Sequence, residues 1–151
     1  MGSDTTTRQG QSVDGGSGEF TVRQGAKALV RTDSSVLLVR ERHSDGTPFW
    51  TLPGGGVEPT ECPETGLRRE LREELGCRVS VGKPSAWFPY RHRGRADVVS
   101  VYTVFDCLLA TAVEPNPAEG IVACRWVDPA TVPARTLPQV RLLCRSLADS
   151  E

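Results

Sequence analysis

Long hydrophobic runs are missing from this chain. No stretch of about 18 apolar residues occurs, so no helix that crosses a membrane is expected. The N-terminus lacks a basic-then-apolar export pattern, and a cytoplasmic location is the expectation. Charge of one sign is lacking as well. The net charge is −1, so no global field draws the chain to nucleic acid or to a membrane, and any anion site must be local. Lysine is scarce: of 18 basic residues only Lys27 and Lys83 are lysines, and the rest are arginines, whose forked guanidinium suits phosphate. The five cysteines (Cys62, Cys77, Cys107, Cys124 and Cys144) include no CxxC spacing, which excludes a zinc-ribbon or disulfide framework. They read as buried free thiols. The two histidines, His43 and His92, have no metal-ligand spacing and read as surface residues.

What is present suits one domain. The chain has 151 residues, 38% of them apolar and 25% charged. Residues 1–18 are rich in Gly, Ser, Thr and Gln and read as a disordered tail or linker, which leaves 19–151 as the folded domain. Strand-like runs cover 26–31 and 36–40, with a turn at 32–35. A short strand is expected at 49–52, and Pro53-Gly54-Gly55-Gly56 then breaks the pattern. Pro63 suits a first helical position. Leu67, Leu71 and Leu75 recur every four residues as a buried stripe, and Gly76 supplies a left-handed stop. Two strand segments follow at 78–81 and 86–90. Residues 98–109 are apolar on both faces, as in a central covered strand. After a turn at Pro115-Asn116-Pro117 comes a strand over 121–127. Val140, Leu143, Cys144 and Leu147 mark a final amphipathic helix with Pro138 near its start. Trp50, Trp87, Phe88, Tyr90 and Trp126 read as core, with base stacking the alternative for 87–90. The order suggests an α+β fold with a mixed β-sheet and helices on both faces.

Glu70, Glu73 and Glu74 fall on one face of the first helix, with the leucine stripe expected on the opposite face. Like charges so close repel one another, and a hard cation such as Mg²⁺ or Mn²⁺ would relieve that repulsion. Taken alone, three such residues more often form a solvated acidic face.

The surrounding spacing goes further. Gly55, Glu61 and Arg69-Glu70-Leu71-Arg72-Glu73-Glu74-Leu75-Gly76 reproduce every fixed position of G-x5-E-x7-R-E-U-x-E-E-x-G-U, with Cys77 at the final aliphatic position. The chain thereby resembles the Nudix hydrolase family, in its MutT-like form. The resemblance implies an α/β/α sandwich. It also implies a metal-dependent pyrophosphohydrolase that cleaves the diphosphate link of a nucleoside di- or triphosphate, or a related nucleotide-like small molecule, by water attack at phosphorus. It assigns Glu70, Glu73, Glu74 and the Gly54 carbonyl to the metal (Mg²⁺ or Mn²⁺), Arg69 to orienting the carboxylates, and Glu61 to fixing the loop over the helix start. Glu119, with Glu114 as competitor, would supply a further acidic group. A homodimer follows only by family analogy.

Departures from the family pattern are small. Cys62 is a poorer helix cap than serine, and Gly66 costs about 1 kcal/mol of helix propensity relative to alanine. Arg40, Arg42, Arg91 and Arg93 are candidate phosphate-binding residues. The competing readings are a diphosphoinositol or dinucleoside polyphosphate hydrolase, an RNA 5′-end pyrophosphohydrolase, and a non-catalytic nucleotide-sensing module. The absence of a basic surplus disfavours RNA, and the intact glutamates disfavour the sensor.

Overall fold

The computed structural model describes residues 21–150, so the expected tail at 1–18 lies outside the described residues. Strand β1 (Thr21–Thr32) turns into β2 (Ser35–Arg42) through residues 33–34. Next come β3 (Pro48–Thr51), β4 (Gly54–Gly56) and helix α1 (Pro63–Leu75). Strands β5 (Val79–Arg91) and β6 (Val98–Leu109) form a long hairpin. A 3₁₀ turn (Pro117–Glu119), β7 (Ala123–Val127) and helix α2 (Pro138–Asp149) complete the order.

The sheet is mixed. Along its main path the order is β3-β2-β1-β6-β5, with β4 paired to β1 and β7 paired to β2. Among the described strands only β1 and β6 run parallel, over ten residue pairs from Thr21↔Val98 to Val30↔Cys107. The expectation of 98–109 as an interior strand holds, since β6 lies between β1 and β5. Alternation along β1 sends Ala26, Ala28 and Val30 toward α1, and Leu29 to the core around α2. One core joins those alanines to Leu37, Val39, Phe105 and the α1 leucines. The other joins Leu38, Phe49, Phe88 and Val104 to Val140 and Cys144 of α2. This is the α/β/α sandwich expected.

Several sequence expectations need correction. Gly54-Gly55-Gly56 is itself a short strand, antiparallel to Gly25–Lys27 of β1. The triple glycine has no strand propensity, and a long-range partner imposes its conformation. The two segments expected at 78–81 and 86–90 are one strand, whose register against β6 shifts around Pro84. A bulge carries the strand past a residue that cannot donate to the ladder. Trp87 and Trp126 are not core but 67% and 39% exposed. Trp87 lies on the opposite side of β5 from the buried Phe88 and Tyr90, as strand alternation requires. His43 is buried rather than on the surface, stacked on Phe49 and hydrogen-bonded to the Tyr90 hydroxyl. Cys77, Cys107 and Cys144 are buried free thiols, while Cys62 is exposed.

Candidate active site

Helix α1 is held by its leucines. Leu67, Leu71 and Leu75 are fully buried, each contributing about 1.5–3 kcal/mol by removal from water. The helix opens on Pro63 after Cys62, which makes no side-chain capping bond, and stops at Gly76 with φ 60°. At about 100° per residue, Glu74 borders the leucine stripe rather than lying opposite it. Glu74 is consequently buried, Glu70 is half-buried and Glu73 is exposed. The three glutamates therefore occupy three environments, a distinction that sequence spacing alone does not make.

Arg69 organises the outer side. Its Nε and Nη2 donate to the two Glu61 oxygens at 2.6 and 2.9 Å, a bidentate pair. Nη1 donates to Glu70 Oε2 at 3.1 Å and to Glu73 Oε1 at 3.2 Å, and Nη2 also reaches the Gly56 carbonyl at 3.2 Å. Glu61 in turn accepts the Glu58 amide at 2.9 Å, which ties the loop between β4 and α1 to the helix. The Arg69 bond, helped by that amide, holds the Glu61 carboxyl down at about 2.

The inner side is a buried charge cluster. Glu74 Oε1 accepts the Gly54 amide at 3.1 Å, and the Gly54 carbonyl accepts Lys27 Nζ at 3.1 Å. Gly54 has φ 136°, and a Cβ there would lie 2.2 Å from the Ala26 carbonyl oxygen, so only glycine fits. Lys27 Nζ also sits 3.7 Å from Glu41 Oε2 and 4.7 Å from the centre of the Tyr102 ring. Burial alone would lower the Lys27 pKa, but Glu41, Tyr102, Glu74 and Glu70 together raise it. Burial pushes the Glu74 carboxyl up to about 9, partly opposed by Lys27 and reinforced by Glu41. Burial likewise raises Glu70, which lies within hydrogen-bond reach of Glu74, against the pull of Arg69.

These carboxylates suit a hard divalent cation in donor type. Two half-buried or buried acids with raised affinity for protons mark negative charge that the protein itself leaves under-neutralised. Among the described residues no three metal-ligating side chains already converge, and the Arg69 guanidinium bridges Glu70 and Glu73. Glu73 is the outermost of the three, with its side chain 42% exposed.

The site opens on a cleft of about 730 Å³ lined by Arg69, Glu70, Arg23, His92, Ser100 and Tyr102, among others. The sequence-nominated arginines are dispersed. Arg40 is half-buried on β2, between Trp50 and Ala123 of the neighbouring strands. Arg42 is exposed and donates to the Gly46 carbonyl at 3.1 Å. Arg91 closes the β5–β6 turn by donating to the Ala96 carbonyl at 3.2 Å. Arg93 is exposed near His43 and Asp45. Glu119 is exposed on the 3₁₀ turn, and that turn is tied to α1 by Asn116, whose side chain donates to the Glu73 carbonyl and whose amide donates to the Glu74 carbonyl. Glu114 donates its amide to the Leu75 carbonyl at the helix end. Sequence reading missed Lys27, Glu41, Tyr102 and Arg23. Lys27 did carry a signal, since it is a charged residue inside the apolar run Ala26–Val30.

Comparison with known proteins places the motif in context. The NUDIX domain family model matches residues 21–144. The chain is 33% identical over 111 residues to a protein named nucleoside triphosphatase NudI from Escherichia fergusonii, covering 67% of this chain and 78% of that one. It is 38% identical over 110 residues to a MutT-like protein of Streptomyces ambofaciens, covering 73% and 66%. In fold it resembles the crystal structure of a MutT NUDIX hydrolase from Burkholderia pseudomallei, with TM-score 0.72, 22% identity, and coverage of 82% and 96%.

Proposed function

The chain belongs to the Nudix hydrolase family, and from that premise we propose that it cleaves the phosphoanhydride of a nucleoside di- or triphosphate in a divalent-metal-dependent reaction. The observation that carries this reading is the buried Glu74 carboxylate, fixed by the Gly54 amide and flanked by Lys27 and by Glu70, which lines the cleft. Glu70, Glu73, Glu74 and the Gly54 carbonyl would hold Mg²⁺ or Mn²⁺. When bound, such an ion neutralises phosphate charge and makes water a better nucleophile. The residues do the rest. Water attacks one phosphorus, and the bond from that phosphorus to the bridging oxygen breaks, releasing the other phosphate-bearing group. Glu119 or one of the helix glutamates would take the water proton, and of these Glu70 lines the cleft. Arg69 holds Glu61, Glu70 and Glu73 in register, so the carboxylates need little reorganisation during the reaction.

The test is a hydrolysis panel of nucleoside di- and triphosphates, nucleotide sugars and dinucleoside polyphosphates, each with Mg²⁺ and with Mn²⁺. Metal-requiring turnover by the natural chain, lost in Glu74→Gln, is expected. Turnover that survives in the variant would remove Glu74 from the mechanism.

A further inference from the structure

Lys27 is a buried charge to which the proposed reaction gives no part. Strand alternation along β1 turns it away from α1, to the same side as Leu29. Its Nζ nevertheless reaches the strand that borders the acids, and donates to the Gly54 carbonyl at 3.1 Å. The composition of β4 permits this. Three glycines carry no side chains, so groups from two elements close on one bare ribbon. From α1, Glu74 Oε1 accepts the Gly54 amide at 3.1 Å, and a Cβ on Gly55 would lie 2.6 Å from Glu70 Oε1. From β1 comes Lys27, the register partner of Gly54.

A second glycine keeps the ammonium in place. Gly25 pairs with Tyr102 across β1 and β6, and a Cβ there would collide with the Tyr102 ring. The ring therefore lies close over β1, with Lys27 Nζ 4.7 Å from its centre, within cation–π range. Glu41 Oε2 stands 3.7 Å from Nζ, an ion pair without a hydrogen bond. Among the described residues the Gly54 carbonyl is the only hydrogen-bond acceptor that Nζ meets. Burying an ammonium is costly, and a position that served packing alone would be better filled by an apolar side chain. Burial disfavours the charge here too, yet Glu41, Tyr102, Glu74 and Glu70 together outweigh it. A fixed positive charge thus sits on the one carbonyl that the metal reading also needs.

We propose that Lys27 is a positioning residue and a built-in counter-cation of the carboxylate cluster: it aims the Gly54 carbonyl and holds down the affinity for the divalent ion. The inference rests on the hydrolase reading above, because it concerns the ion which that reading assigns to Glu70, Glu73, Glu74 and the Gly54 carbonyl. A carbonyl oxygen has two lone pairs. Lys27 takes one, which leaves one for an ion. Two like charges then share a single oxygen, and their repulsion weakens the hold on the ion. The return is geometric. With its amide on Glu74 and its carbonyl on Lys27, Gly54 is fixed at both polar groups before any ion arrives.

The test reads ion binding without substrate, with turnover measured beside it. Mn²⁺ alone is titrated into the natural chain, Lys27→Met and Lys27→Arg, and the free ion is followed by electron paramagnetic resonance. Lys27→Met keeps the length and removes the charge, and should bind Mn²⁺ about tenfold or more tighter. Lys27→Arg keeps the charge and should stay close to the natural chain. A residue that merely held the strand would give the opposite sign, since its loss would loosen Gly54 and weaken the ion. Lys27→Met leaves Glu41 buried without its partner, so the same step is repeated in a Glu41→Gln background, where the ion pair leaves as a unit, a change that proteins often tolerate. The same rise in affinity is expected there. An unchanged or lower affinity on loss of Lys27 in either background overturns the proposal. For a nucleoside triphosphate, kcat should fall in Lys27→Met while the Mn²⁺ concentration giving half the maximal rate also falls, and an unchanged kcat overturns the positioning role. Tighter Mn²⁺ binding with no hydrolysis by any form would sink the hydrolase reading and leave the counter-cation standing. Metal-dependent hydrolysis with no gain in affinity would do the reverse.

Discussion

Thr51 keeps a buried hydroxyl without a partner, and a group in that state costs about 1–3 kcal/mol. Replacing it by valine removes the cost and nearly preserves the shape. Thr51→Val should raise the melting temperature by several degrees. Differential scanning calorimetry will read this, and a lower melting temperature in the variant would contradict it. Arg69 and Glu61 give a pH-dependent test at the same scale. The folded-state pKa of Glu61 is depressed from 4.5 to about 2. Its stabilising contribution is therefore present above the unfolded value and lost as pH falls from about 4.5 to 2. Glu61→Gln should flatten the acid limb of the stability curve over that window. An unchanged acid limb would show that the ion pair is not stabilising.

Among the elements, α1 is the one that sequence read best. Leu67, Leu71 and Leu75 mark its buried face, Pro63 its start and Gly76 its stop, because each of those signals is local. What spacing could not give was the depth of each glutamate, since that depends on what packs across the helix. The glycine strand β4 and the bulged β5 were read less well, because partners far along the chain impose both. The site shows the same division. Its α1 half was visible as a motif. Lys27, Glu41 and Thr51 come from three strands whose side chains meet only in the folded sheet. The missing cap is an element-scale prediction. Cys62 makes no capping bond to the helix amides, so Cys62→Ser should stabilise the protein by about 0.5–2 kcal/mol. Denaturant midpoints with unchanged slope would record it, and a lower midpoint would mean that the Cys62–Thr65 contact matters more than the cap.

For the molecule as a whole, the sheet fixes two chemistries on its flanks. Helix α1 brings carboxylates to the edge of β4, and its Arg69 and Glu70 line the cleft together with Arg23 of β1 and Ser100 and Tyr102 of β6. The charge buried beside Gly54 would couple binding of the proposed cation to pH. Without a metal, the Glu74 carboxyl titrates near 9, well above 4.5. Its folded-state stabilisation is complete below about 4.5 and is lost as pH rises toward 9, since the raised pKa favours the protonated form. A cation competes with that proton, so Mn²⁺ affinity should climb steadily with pH up to about 9, with protons released on binding. Titrations in buffers of different ionisation enthalpy would show the release, and a pH-independent affinity would contradict it.

The measurement that bears most directly on the central claim is phosphate or pyrophosphate release from nucleoside triphosphates by the natural chain and by Glu74→Gln, with Mg²⁺, with Mn²⁺ and with chelator. Turnover only with metal, falling by a factor of about 100 or more in the variant, is the expected result, as for loss of a group that stabilises the transition state. Turnover that persists in chelator, or that Glu74→Gln leaves intact, would contradict the assignment of this carboxylate cluster as the catalytic centre.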